Sequence, residues 1–166
     1  MKPKTAGRAD SRTAVIDRVQ DQTITNALVA GTSVLTLDGA LPVEMLSPGD
    51  RVITRDSGMA VLREVSVIKR TVRAIGIRAG TLGNTRPDRD AVLPASQEVL
   101  IRDWRAKALF GRSQALVSAA RLIDGEFVRD LGQVTLTLVT LRFDAPHILY
   151  ADGLEVAAQD PAHAPA

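Results

Sequence analysis

Few side chains in this 166-residue sequence could carry covalent or acid–base chemistry. There is no cysteine, which removes disulfides, thiolate metal sites and thiol nucleophiles together and leaves the redox compartment open. Two histidines, His147 and His163, are the side chains whose ordinary pKa lies near neutrality. No carboxylate set with metal-ligand spacing accompanies them, so neither a metal nor a cofactor is expected. His147 opens "HILYADG", where it suits either general acid–base work or a half-buried place at a strand start, satisfied by a backbone carbonyl. His163 falls in an Ala/Pro-rich tail and is expected in solvent. Asp50, in "SPGD", reads as a catalytic acid or as a turn residue bonding its own backbone, and the turn is the commoner role for that pattern. "IRAGTLGN" has two glycines but neither the spacing nor the strand–helix context of a phosphate loop. Trp104, between Arg102 and Arg105, is either a binding hot spot or an indole covering a core edge with an arginine stacked on it.

The elements that must position these groups are mostly strands. "SVLTLDGALPVEML" alternates about Asp38-Gly39, a hairpin signal resting on positive φ in the turn. "SPGD" places Pro and Gly as a type II turn requires. "RVITR", the long alternating "AVLREVSVIKRTV", a strand in "AIGIRAGTLG" ending in a Gly-rich loop, two short strands around a bend in "AVLPASQEVLIR", "VTLTLVTLRF" and "HILYADG" follow. One helix is expected, in "LVSAARLIDG", capped by Ser118 and closed by Gly125. Many short strands with regular turns predict a single all-β domain. The expected organisation is a basic arm over residues 1–24, the domain over 25–158 and a loose tail over 159–166, with a weak helical face or docked irregular arm from residue 13 to 24.

Composition narrows the functional classes. Apolar residues make up 45% and aromatics 3%, so Val, Leu, Ile and Ala must build the core. The net charge is +2, yet the first twenty residues carry five Lys and Arg against two Asp. The excess therefore sits on an arm and not on a domain face, which argues against nucleic-acid binding. No apolar run reaches the roughly 18 residues of a membrane span, and residues 1–26 lack the continuous apolar stretch of a signal peptide. A cytoplasmic location is the default expectation, with non-classical secretion left open, and no membrane partner is expected.

Five segments, in order, carry a resemblance. "GTSVLTLDGALPVEMLSPGDRVITRDSG", "IRAGTLG", "LPASQEVLIRDWRAKALFG", "LVSAARLIDG" and "HILYADGLEVAA" together resemble the Hint (Hedgehog/intein) domain, and within it the bacterial Hint-domain proteins. The resemblance covers residues 27–158. It implies a compact, disc-like, strand-rich fold with one short helix, whose termini come close together. It also implies autoprocessing. The first residue of the family's opening block, Cys or Ser, attacks the preceding carbonyl, a His of the middle block protonates the leaving nitrogen, and a second His stands in the closing block.

On this sequence those positions are Ala27, Gln97 and His147. Alanine has no lone pair with which to begin covalent catalysis. Gln97 donates a hydrogen bond but shuttles no proton at neutral pH, and a one-residue slip would put Glu98 there instead. His147 matches. Thr25 and Thr32 lie near the junction, Thr32 within the Gly-Thr motif where a turn role is expected. Inteins that begin with Ala rely on a cysteine elsewhere, and no terminal Asn for ligation is visible. The expectation is a Hint-fold domain that has lost autoprocessing and serves as a binding or assembly module for an unidentified protein partner. The alternative is residual self-cleavage at the peptide bond preceding Ala27.

Overall fold

The computed structural model describes residues 25–83 and 85–161. Readings placed on residues 1–24 and on His163 lie outside these. The described chain is an all-β domain with one short helix. Its strands are β1 (Leu28–Val29), β2 (Ser33–Thr36), β3 (Gly39–Pro42), β4 (Arg51–Thr54), β5 (Gly58–Val61), β6 (Glu64–Ile77), β7 (Ala91–Pro94), β8 (Glu98–Ile101), β9 (Ala115–Ser118), β10 (Val128–Arg142), β11 (Ile148–Ala151) and β12 (Leu154–Ala157), and the helix is α1 (Trp104–Phe110). They form a four-stranded sheet, β1-β10-β6-β7, and an eight-stranded sheet, β3-β2-β4-β11-β12-β8-β9, with β5 paired to β4.

Two long strands organise the chain. β6 and β10 run antiparallel from Val128↔Ile77 to Arg142↔Glu64, interrupted by a bulge between Asp130 and Gly132. Gly132 takes φ 74° there, a conformation that glycine adopts without a Cβ penalty. The far end of β10 gathers the first strand and the last bridge of the described residues. Leu28 of β1 pairs with Val139, and Gln159 forms a parallel bridge to Arg142. Gln159 is 1% exposed, so the fold extends one residue beyond 158, where the tail was expected to begin.

The core is aliphatic, as the shortage of aromatics requires. Val34, Leu62, Ile75, Leu93, Leu138, Leu149 and Leu154 are fully buried, and Phe143 joins them. Trp104 does not. At 66% exposure it covers no core edge, although Arg105 does stack on it, 4.7 Å from the ring centroid.

Two local expectations resolve differently in detail, and a third holds. The helix forms over Trp104–Phe110 and not in "LVSAARLIDG". Asp103 caps it by accepting from the Arg105 N–H, and Gly111, at φ 70°, closes it. In "LVSAARLIDG", pairing with β8 takes residues 115–118 as β9, leaving only a 3₁₀ turn, Ala119–Leu122; Ser118 makes no side-chain cap. The Asp-Gly hairpin turns one residue earlier than expected, with Thr36 opposite Gly39 and the positive φ confined to Gly39. "SPGD" behaves as read: Gly49 has φ 96°, the Asp50 N–H donates to the Ser47 carbonyl, and the Asp50 carboxylate accepts from the Ser47 N–H. Asp50 is therefore occupied as a turn residue.

Candidate functional site

The two sheets place the matched positions around one junction. Ala27 lies just before β1, with its methyl in the core at 2% exposure. Asn26 before it is buried and tied on four sides. Its N–H donates to Gln159 Oε1 (3.3 Å), its Nδ2 to Glu98 Oε1 (3.1 Å) and the Ala158 carbonyl (3.2 Å), and its Oδ1 accepts from the Glu98 N–H (2.9 Å). The residue preceding the junction is thus hydrogen-bonded to both the middle and the closing blocks. Thr32 is buried, and its backbone serves the turn after β1: its N–H donates to the Val29 carbonyl and its own carbonyl accepts from the Val43 N–H. Glu44 steadies the same turn by accepting from the Gly31 N–H at 2.8 Å, a bond that lowers its pKa.

Gln97 occupies the bend where the chain leaves β7 in one sheet and enters β8 in the other. It is wholly buried. Its Nε2 donates to the Glu98 carbonyl at 2.9 Å and to the Ala157 carbonyl at 2.8 Å, while Oε1 has no hydrogen-bond partner. Its backbone is used as well, the carbonyl accepting from the Ala119 N–H. The side chain therefore ties the bend to β12. Buried carbonyls that lose such a donor carry a cost of about 1–3 kcal/mol each.

His147 stands immediately before β11 and is held by a carboxylate rather than by the expected backbone carbonyl. Its Nδ1 lies 2.7 Å from Asp56 Oδ2, with Ser57 Oγ at 3.4 Å, and its ring meets Phe143 edge-on at 5.5 Å. Asp56 also accepts from the Ile148 N–H. Partial burial pushes the Asp56 carboxyl up, but the bonds from Ile148 and His147 outweigh it and leave the pKa below the ordinary carboxylate value. With Nδ1 donating to Asp56, the neutral ring carries its lone pair on Nε2. The His147 carbonyl accepts from the Ala158 N–H and so joins the same end of β12.

Asn26 and His147 border a cleft of about 300 Å³, which Ala27 and Gln97 do not line. Asn26, Asp56, Glu98, His147 and Asp160 supply its polar lining, and Leu116, Pro146, Ile148, Ala157 and Ala158 complete it. No serine, threonine, lysine or arginine is among the lining residues. Three carboxylates on an apolar floor suit a cationic group. Among the described residues no cluster of three His, Asp or Glu is arranged to hold a metal ion.

Reading the sequence alone passed over Asn26 and Asp56. Asn26 gave one faint signal, a polar residue at the edge of an apolar run. Asp56 gave none, because its partner lies 91 positions away. Arg102 and Arg105, which flank Trp104, are paired with Glu155 and Asp103.

Two solved structures illustrate what the arrangement is similar to. A bacterial intein-like domain from Clostridium thermocellum aligns with a TM-score of 0.54 at 16% identity, covering 81% of this chain and 99% of that one. A DnaB intein from Synechocystis sp. PCC 6803 aligns with a TM-score of 0.55 at 11% identity, covering 80% and 98%. At such identities the likeness establishes the fold alone. A search of curated proteins gave no match. Among the described residues no helix is long and apolar enough to cross a membrane. The Hint domain family, however, matches residues 26–159, from the pinned Asn26 to the buried Gln159. A strand-rich fold that brings those two residues into contact, together with a family match over the same span, establishes that the chain belongs to the Hint domain family.

Proposed function

We propose that this chain is a Hint domain that no longer processes itself and acts as a binding or assembly module. The observation that carries the reading is the state of Gln97. Where the resemblance puts a proton-donating imidazole, a wholly buried amide is committed to two carbonyls as a strand tie. It is a structural fastening and has no proton to give at neutral pH. The Ala27 methyl supplies no nucleophile. The Asp56–His147 pair persists, but it borders a cleft without a hydroxyl or amine among its lining residues. What remains there is a recess whose carboxylates and apolar floor fit a basic segment of a protein partner.

The intact mass of freshly purified chain, followed through prolonged incubation with a small thiol, tests the loss of processing. A single constant mass is the expected result. Release of residues 1–26 would mean that the Asn26–Ala27 bond still breaks, and would overturn the reading in favour of residual self-cleavage.

A further inference from the structure

A second pocket, of about 240 Å³, lies apart from the cleft and is unusual in its charge. Arg86, Arg102 and Glu155 line it, with Leu82 and Leu154 among its apolar residues and Asp103 at its border. Glu155 is buried on β12 at 2% exposure, and three arginines converge on it. Its Oε1 accepts from Arg86 Nη1 and from Arg102 Nε (2.9 Å) and Nη2 (2.5 Å). Arg55 Nε stands 3.0 Å from Oε2, within ion-pair distance but out of line for a hydrogen bond. Asp103 is matched by its own partner, Arg105. Asp124 also feels the Arg105 charge, so four guanidiniums face three carboxylates, leaving one positive charge in surplus among these described groups.

An arginine cannot relieve such a surplus by losing its proton. The three guanidiniums around Glu155 carry about fifteen N–H donors, against roughly four acceptor positions on one carboxylate. Their side chains are 20–33% exposed, so the unused donors are accessible. Glu155 also fixes their positions before any ligand arrives, which lowers the ordering cost of binding. The recess is smaller than the ~300–1,000 Å³ typical of drug-sized ligands, which points to a compact ion or terminal group. We propose that this pocket binds a phosphate-type dianion, held by Arg86 and Arg102 with Glu155 as the residue that orients them. A phosphate group carries about −1.5 to −2 at neutral pH and three acceptor oxygens, which suit a cationic recess with planar donor pairs to spare.

The test uses the ¹⁵N-labelled full chain, titrated with sodium phosphate while chloride holds the ionic strength constant. The Nε–Hε resonances of Arg86 and Arg102 should shift saturably, and that of Arg63, paired with Asp144 at the surface, should not. Arg102→Gln should weaken binding at least tenfold, read on Arg86. Arg86→Gln, read on Arg102, should weaken it likewise, so that either variant tests the pocket if the other fails to fold. Phenyl phosphate in a parallel titration separates the sources: tighter binding than inorganic phosphate assigns the pocket to a phosphomonoester, weaker binding to the free ion. Shifts that are absent, linear up to tens of millimolar, or equal at Arg63 would overturn the proposal.

Discussion

Replacing Gln97 with glutamate changes one NH₂ into an oxygen and little else, which makes it a sharp probe of the tie between the β7–β8 bend and β12. The native amide donates to the Glu98 and Ala157 carbonyls at 2.9 and 2.8 Å from a wholly buried position. In Gln97→Glu an ionised carboxylate would face two carbonyl oxygens with no donor between them. The charged form is disfavoured by burial and by repulsion, so the folded-state pKa rises above the unfolded value of about 4.3, by up to roughly 3–5 units for a fully buried group. The sign follows from proton counting. The folded variant holds its proton where the unfolded chain has released it, so stability is highest below about pH 4.3 and falls as pH rises toward the folded pKa. The loss is about 1.4 kcal/mol per pH unit across that window, or about 4 kcal/mol by pH 7 if the folded pKa lies above neutrality. That is a large share of the roughly 5–15 kcal/mol that holds a domain together. Urea unfolding at pH 4, 5, 6 and 7, for native chain, Gln97→Glu and the uncharged Gln97→Met, supplies the comparison. Gln97→Met should cost about 2–6 kcal/mol, with no pH dependence of its own, by leaving two buried carbonyls without donors. A Gln97→Glu variant within about 0.5 kcal/mol of native at pH 7, with a flat difference across the series, would refute the assignment of Gln97 as a buried two-carbonyl donor.

Two other predictions concern the same end of the fold. The depressed Asp56 pKa contributes stability above the unfolded value near 3.8, and that contribution disappears as pH falls through the lower folded value. The gap between native and Asp56→Asn in urea midpoints should therefore close on acidification, from less than about 1 kcal/mol because more than a third of the Asp56 side chain is exposed; a gap constant from pH 2 to 6 would show that the charge is not the cause. Restoring the missing groups together, Ala27→Cys with Gln97→His, should produce thiol-dependent release of residues 1–26 in intact-mass measurements. Ala27→Cys alone should be about 10²–10⁴-fold slower for want of the acid, and a double variant that stays intact would mean the junction is not held for attack.

How much was legible beforehand depended on how locally each feature is specified. The β4 strand, the bend between β7 and β8, the long β10 and the "SPGD" turn follow from alternation and from Pro and Gly at fixed offsets, signals read within a few residues. The ordered segments that resemble a Hint domain marked Ala27, Gln97 and His147, and the side-chain types alone excluded thiol chemistry. The helix was misplaced although its caps, Asp103 and Gly111, were in plain view. "LVSAARLIDG" has comparable local signals, and only pairing with β8 turned its first three residues into a strand.

Residue identity thus determined that no thiol is present and that a methyl group and an amide stand at positions 27 and 97, which is so in any fold. Tertiary structure decided what the remaining groups do. Asp56 meets His147 across 91 positions, Asn26 meets Ala158 across 132, and Glu155 gathers Arg55, Arg86 and Arg102 from three separate segments. Those partnerships depend on the path of two sheets, and the free energy of a buried polar group depends on its partner more than on its own type.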